Sequence, residues 1–161
     1  YFPKINSSYW LKLDDNLESN LTLEIVSLIR KLNVEKLIFM GERNQKWISK
    51  STEKRKDFEP LTKAVEYFKS HKIEKKFNGG VKVENQELNR FFENFYTLTE
   101  CDGGFFDFNF IDKNENYIFY IHYSGELKVL TLNENSNESF LKIINETKFV
   151  DSMREDTNRI K

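Results

Sequence analysis

The stretch Phe106–Thr131, FDFNFIDKNENYIFYIHYSGELKVLT, decides the fold. Phe106, Phe108 and Phe110 alternate with Asp107 and Asn109. Tyr117, Phe119, Ile121 and Tyr123 alternate with Ile118, Tyr120 and His122, and Leu127, Val129 and Thr131 alternate with Lys128 and Leu130. Successive side chains of a strand point to opposite faces, so a period of two is the signature of a half-buried strand. Three such runs joined by turn residues predict an antiparallel meander. Keeping the aromatics on one face sets the register: Phe110 opposite Phe119, Phe108 opposite Ile121, and Ile121 opposite Val129. The other face then carries Asn109 beside Tyr120 and Leu130, and Asp107 beside His122 and Lys128.

Downstream, Asn135 with Glu138 resembles a capping box for a helix in which Phe140, Leu141, Ile143 and Ile144 cover the sheet. From Asp151 the chain is polar and is expected to fray. Upstream, Asn85 starts a helix whose inner face is Leu88, Phe91, Phe92 and Phe95. Asn78-Gly79-Gly80 predicts a tight hairpin between Ile73–Phe77 and Val81–Val83. Asp57 is placed to cap a helix from Phe58 to Ser70, with Pro60 in its first turn and Phe58, Leu61, Val65 and Phe68 on one face. The basic segment Glu42–Lys56, with Trp47-Ile48 as its only apolar spot, reads as an exposed loop or edge strand. Leu21, Ile25, Leu28, Ile29 and Leu32 recur at helical spacing behind Asn20. Tyr9–Leu13 before them and Lys36–Met40 after them read as strands, a β-α-β-like opening. The expectation is α+β: a C-terminal antiparallel β-meander packed against about four amphipathic helices, with a β-α-β-like N-terminal portion. Residues 1–150 form one domain and residues 151–161 a polar tail.

A chain of 161 residues with fifteen Phe, seven Tyr and two Trp can fill one sizeable core. No apolar run approaches the roughly 18 residues that cross a bilayer, so no membrane partner is expected. Cys101 is the only cysteine, which excludes an intramolecular disulfide and favours a reducing, cytoplasmic setting. Abundant Asn, Lys, Ile and Phe beside a single alanine, Ala64, follow AT-rich codon usage and point to a low-GC bacterium. The net charge of −1 hides a polarity: Tyr1–Val83 carries 17 basic and 11 acidic residues, a net of +6, whereas Glu84–Asp151 carries 5 basic and 13 acidic, a net of −8. An acidic face attracts a basic partner and speeds its approach.

Several groups invite a chemical reading. Asp107, His122 and Lys128 share one row in the inferred register, and a carboxylate beside an imidazole suits general acid–base work, although solvated sheet faces carry such pairs for stability alone. Cys101 lies between Glu100 and Asp102, which disfavour a thiolate. His71 and His122 match no zinc spacing, and Gly79-Gly80 and Gly103-Gly104 match no phosphate-binding loop. No metal, cofactor or catalytic residue is assigned. Lys46, Lys50, Lys54, Arg55 and Lys56, with Lys72, Lys75 and Lys76, would serve a nucleic-acid surface if they formed one continuous face around Trp47.

Small size, charge polarity and the missing catalytic motif suit a domain that binds another protein. In general type the whole chain resembles the immunity proteins that bacteria make against their own polymorphic or contact-dependent growth-inhibition toxins. That resemblance implies a non-catalytic fold that covers the active site of a cognate, basic toxin, in many cases a nuclease, with acidic and aromatic residues. The residues expected at such an interface are Glu100, Asp102, Asp107, Asp112, Glu115, Tyr120, His122 and Glu126. The alternatives are a small enzyme using Asp107 and His122, and a nucleic-acid-binding regulatory module using the Lys46–Lys76 segment.

Overall fold

Caps and apolar stripes fix the helices. In the computed structural model, which describes residues 3–105 and 107–160, α1 spans Leu21–Lys31. The Asn20 side chain accepts a hydrogen bond from the Leu23 N–H, and Arg30 and Lys31 complement the dipole at the other end. α2 is the short helix Lys50–Lys54, capped by Ser49, and α3 is Glu59–Ser70. α4, Leu88–Cys101, buries Leu88, Phe91, Phe92 and Phe95 on one stripe, and α5 is Glu134–Ile144.

The strands are β1 (Ser7–Leu13), β2 (Lys36–Met40), β3 (Val81–Glu84), β4 (Asn109–Asp112), β5 (Tyr117–Ile121), β6 (Leu127–Thr131) and β7 (Phe149–Asp151). They form one antiparallel sheet in the order β3-β2-β4-β5-β6-β1-β7. The fold is therefore mixed α+β, with the β4–β5–β6 meander at the centre of the sheet. Side chains of one face are buried against the helices: Phe39 meets Phe91, Phe92 and Phe95 of α4, and Tyr9 meets Phe140 of α5. The helices pack on this face, and the architecture has two layers.

The β-α-β-like opening is present as β1-α1-β2, whose two strands run parallel with β4, β5 and β6 between them. Other local expectations are corrected. No Ile73–Phe77 strand forms; β3 pairs with β2 instead, with Val83 opposite Leu37, and neither Gly79 nor Gly80 takes a positive φ. Burying Val83 beside a core strand outweighs the local turn preference. Asp57 does not cap α3; Phe58 is the cap residue, without a side-chain bond, and is itself exposed, while Asp57 pairs with Arg55 at 3.1 Å. The capping box of α5 is Asn133 with Ser136, two residues before the expected one.

Trp47 and Ile48 are not an exposed loop but 1% and 0% accessible. The indole touches Phe68, Phe77, Phe91, Phe95, Phe105 and Phe108, and its Nε1 donates to Gly79 O at 2.9 Å. A buried indole with its one donor satisfied anchors an otherwise polar segment.

The meander register is right between β4 and β5, where Phe110 opposes Phe119 and Asn109 opposes Tyr120, and slips between β5 and β6. Ile121 opposes Leu127, and Val129 opposes Phe119. The cause is the Tyr123–Gly125 loop: the His122 N–H donates to Glu126 O at 2.9 Å, and Gly125 takes φ 86°. A three-residue loop ending in a left-handed glycine is a standard hairpin closure, and it shortens the connection by two residues relative to the expected pairing. The shift is even, so every side chain keeps its face. Phe108 is buried but precedes β4, so it has no partner at Ile121; Phe106 lies outside the described residues.

The tail does not fray. Ser152 N–H donates to Trp10 O at 3.0 Å, Asn158 N–H to Ser8 O at 2.8 Å, and Ile160 packs on the core. β7 extends the sheet into what was expected to be free chain, Leu11 opposing Asp151.

Candidate functional site

The face of the sheet turned away from the helices is built from two rows. One runs Lys82, Ile38, Ile111, Ile118, Leu130, Ser8 across six strands; the other runs Met40, Asn109, Tyr120, Lys128, Trp10 across five. Four aliphatic side chains stand side by side in the first row. They shield one another, so Ile118 is only 8% accessible while Met40 at the end of the second row is 39% accessible. A hollow of about 560 Å³ lies over this face, lined by Trp10, Met40, Asp107, Tyr120, Lys128 and Leu130 among others.

One end of the hollow is closed by a network around Trp10. The indole meets Tyr120 edge-on at 6.0 Å and His122 at 6.1 Å. The Arg154 guanidinium of the tail lies 4.2 Å from its ring centre, within cation–π range. Arg154 is also ion-paired to Glu126, whose carboxylate accepts from Ser124 Oγ at 3.0 Å, and Ser124 Oγ meets His122 Nδ1 at 2.6 Å. The hydrogen bond from Arg154 holds the Glu126 carboxyl below its ordinary pKa. Burial, reinforced by the Arg154 charge, lowers the pKa of His122. Burial raises the Tyr120 phenol, with Asp107 adding to it.

Of the eight residues expected at an interface, Asp107, Tyr120, His122 and Glu126 thus gather at this end of the open face. Asp102 is committed elsewhere: it accepts from Ser49 Oγ at 3.0 Å, Thr52 Oγ1 at 2.6 Å and the Gly104 N–H at 2.9 Å, pinning α2 to the end of α4. Glu100 is exposed near Tyr96, whose phenol is pushed up to about 12 by burial and by the Glu100 charge. Asp112 is buried and accepts the N–H groups of Asn114 and Asn116, forming the β4–β5 turn. Glu115 stands exposed in that turn at φ 56°, at the far end of the hairpin. Asp102 and Asp112 therefore serve the fold, as two carboxylates that satisfy backbone and hydroxyl donors.

The Asp107–His122–Lys128 row does not form. Asp107 precedes β4, His122 follows β5, and Lys128 opposes Tyr120 with its Nζ 5.6 Å from the Trp10 ring. Burial raises the Cys101 pKa despite the nearby Arg55. Among the described residues, no group of three or more His, Cys, Asp or Glu is placed to hold a metal ion. Lys69, Lys72, Lys75 and Lys76 do share a cleft, but Glu53 and Glu74 line it too, and Lys69 pairs with Glu53 at 3.0 Å.

The aliphatic row and Trp10 are what sequence reasoning missed. The signal was present in KLIFM (Lys36–Met40) and YIFYI (Tyr117–Ile121), which are apolar at both phases of the strand period. Strands buried on both faces read this way. Comparison with family models, with curated proteins and with solved structures finds no match for this chain. No helix among the described residues is long and apolar enough to cross a membrane.

Proposed function

We propose that this domain acts by binding another protein, and that its role is that of a bacterial immunity protein which neutralises a cognate toxin by covering its active site. The observation that carries the reading is the row Ile38–Ile111–Ile118–Leu130 on a face that none of the described helices covers, with Trp10 and Tyr120 beside it. A contiguous apolar patch flanked by aromatic residues is the form that protein-binding surfaces take, because desolvated aromatic and aliphatic anchors supply most of the binding energy. Asp107 and Glu42, both exposed at the margin of the hollow, supply the charge that steers a cationic toxin toward it.

The test is to purify the protein encoded beside this gene, measure its toxicity in the same host, and titrate it with this domain by calorimetry. A toxic neighbour, neutralised by the native domain and not by Ile111→Asp or Leu130→Asp variants of unchanged circular dichroism, supports the reading. A neighbour without toxicity removes the immunity role. Full neutralisation by both variants removes the open face as its site.

A further inference from the structure

The two edges of the sheet are not alike. At one, β7 is three residues long and is tied to the tail through Asp151, which accepts from the N–H groups of Met153 and Ile160. At the other, β3 pairs with β2 alone among the described strands. The Asn85 N–H donates to Glu35 O at 3.1 Å, and the one-for-one register from there makes Val83 and Val81 the residues that exchange bonds with Leu37 and Phe39. Lys82 and Glu84 consequently turn their backbone groups outward. The Glu84 carbonyl opens the 3₁₀ turn Asn85–Glu87, which leaves the Lys82 N–H, the Lys82 carbonyl and the Glu84 N–H as an uncommitted edge.

We propose that β3 pairs with β3 of a second copy of this chain, antiparallel about a two-fold axis at Val83, to make one continuous sheet from two domains. Only outward-turned residues can exchange bonds across the new ladder, so three registers are open: Lys82 opposite Lys82, Glu84 opposite Glu84, or Lys82 opposite Glu84. The first two set like charges face to face, which destabilises a pair of strands. The third sets Lys82 against Glu84 of the second copy twice, once on each side of the axis. It also directs each Glu84 N–H to the Lys82 carbonyl opposite. Glu84 already pairs with Lys36 of its own chain at 3.3 Å, and the further pair it makes with Lys82 across the axis, repeated twice, is what selects a second copy over an unrelated strand. A lysine on a short edge strand normally repels intruding strands; here it admits the one strand that offers a carboxylate two residues away.

The helix side of the edge fits the same occupant. A hollow of about 560 Å³ lies under β3, lined by Tyr67, Ile73, Phe77, Val83 and Phe91 among others. The same hollow is lined by His71, Lys72, Gln86 and Glu87 as well, and a two-fold axis at Val83 brings this mixed apolar and polar wall against its own copy beneath the ladder. Such an isologous contact is closed and does not propagate.

Sedimentation across a range of concentrations tests the proposal on the intact chain. The native protein is expected to show a reversible monomer–dimer equilibrium. Lys82→Glu and Glu84→Lys, each alone, are expected to weaken it about tenfold or more, since two attractive pairs become repulsive. An equimolar mixture of the two variants restores a mixed dimer, because the carboxylates at positions 82 and 84 of the first variant then face the ammonium groups at positions 84 and 82 of the second. Amide exchange in the native protein is an independent readout: the Glu84 amide gains protection as concentration rises, while that of Val83 is protected throughout. A native protein that stays monomeric at all concentrations overturns the proposal. So does a dimer that Lys82→Glu leaves unchanged, a mixture that fails to associate, or an edge whose exchange does not depend on concentration.

Discussion

The two faces of the sheet use apolar residues differently. On the helix side the residues are aromatic and interlocked: Phe39 stacks on Phe110 at 5.0 Å and Phe110 on Phe119 at 5.3 Å, all three fully buried. On the open side they are aliphatic and, apart from buried Ile118, partly accessible, in a row with no described helix above it. Large rings fill the deep space between sheet and helices and specify its packing, whereas branched aliphatic side chains make a low, even surface. The contrast separates residues that hold the fold from residues that remain available to a second molecule.

Phe110→Ala should produce the largest effect of any change on either face. It removes a ring stacked on two others and leaves a cavity that rigid neighbours cannot close, at a cost of about 3–5 kcal/mol. Chemical denaturation reads this directly, and an unchanged midpoint would contradict the assignment of the helix side as the core. Ile111→Ala on the open side should cost about 1 kcal/mol, because a side chain that keeps partial access to solvent loses only part of its transfer free energy. A cost as large as that of Phe110→Ala would mean that the open face belongs to the core. Arg154→Ala tests what closes the end of the open face, and the lost cation–π contact and ion pair should cost on the order of 1 kcal/mol. Its sharper signature is faster amide exchange at Asn158 with no change in the Leu37 amide.

The smallest effect is a pH dependence confined to the Trp10 corner. The folded-state pKa of His122 lies below its ordinary 6.5, so the unfolded chain takes up a proton first as pH falls. The associated stability is complete above pH 6.5 and is lost between there and the lowered folded value. Glu126, also depressed from its ordinary 4.5, adds a second loss of the same sign at lower pH. His122→Gln should flatten the upper window and leave the lower one. A slope just below pH 6.5 that survives this change would assign it to another group.

Much of the helix side was legible in the sequence. Phe91, Phe92 and Phe95 fall on one stripe at helical spacing, and Phe110 opposite Phe119 follows from period two alone. What could not be read depends on contacts distant in sequence. Nothing near Val81 says that β2 is a better partner than Ile73–Phe77, and nothing near Trp47 says that six phenyl rings converge on it. The interface residues divide on the same principle. Tyr120 and His122 are placed by strand phase, but Asp102 and Asp112 look like free acids in the sequence because their partners, Ser49 and Thr52 for one and a local turn for the other, appear only in three dimensions. Reversing their charge would damage the fold, so Asp107 and Glu42 are the acids to reverse in a binding experiment. The open row is written in KLIFM and YIFYI, where continuous apolarity suggests deep burial of a single strand rather than a second surface.

The position of β1 has a consequence for how the chain acquires its structure. Among the described strands, this first one pairs only with β6 and β7, elements separated from it by more than a hundred residues. A growing chain therefore exposes Tyr9 and Leu11 until β6 and β7 have been made, and loop closure over that separation slows the final step. Early folding is left to local units, such as the meander and α4. The N-terminal strand then seals the sheet last, and a chain cut short before Phe149 would lack one of its two partners.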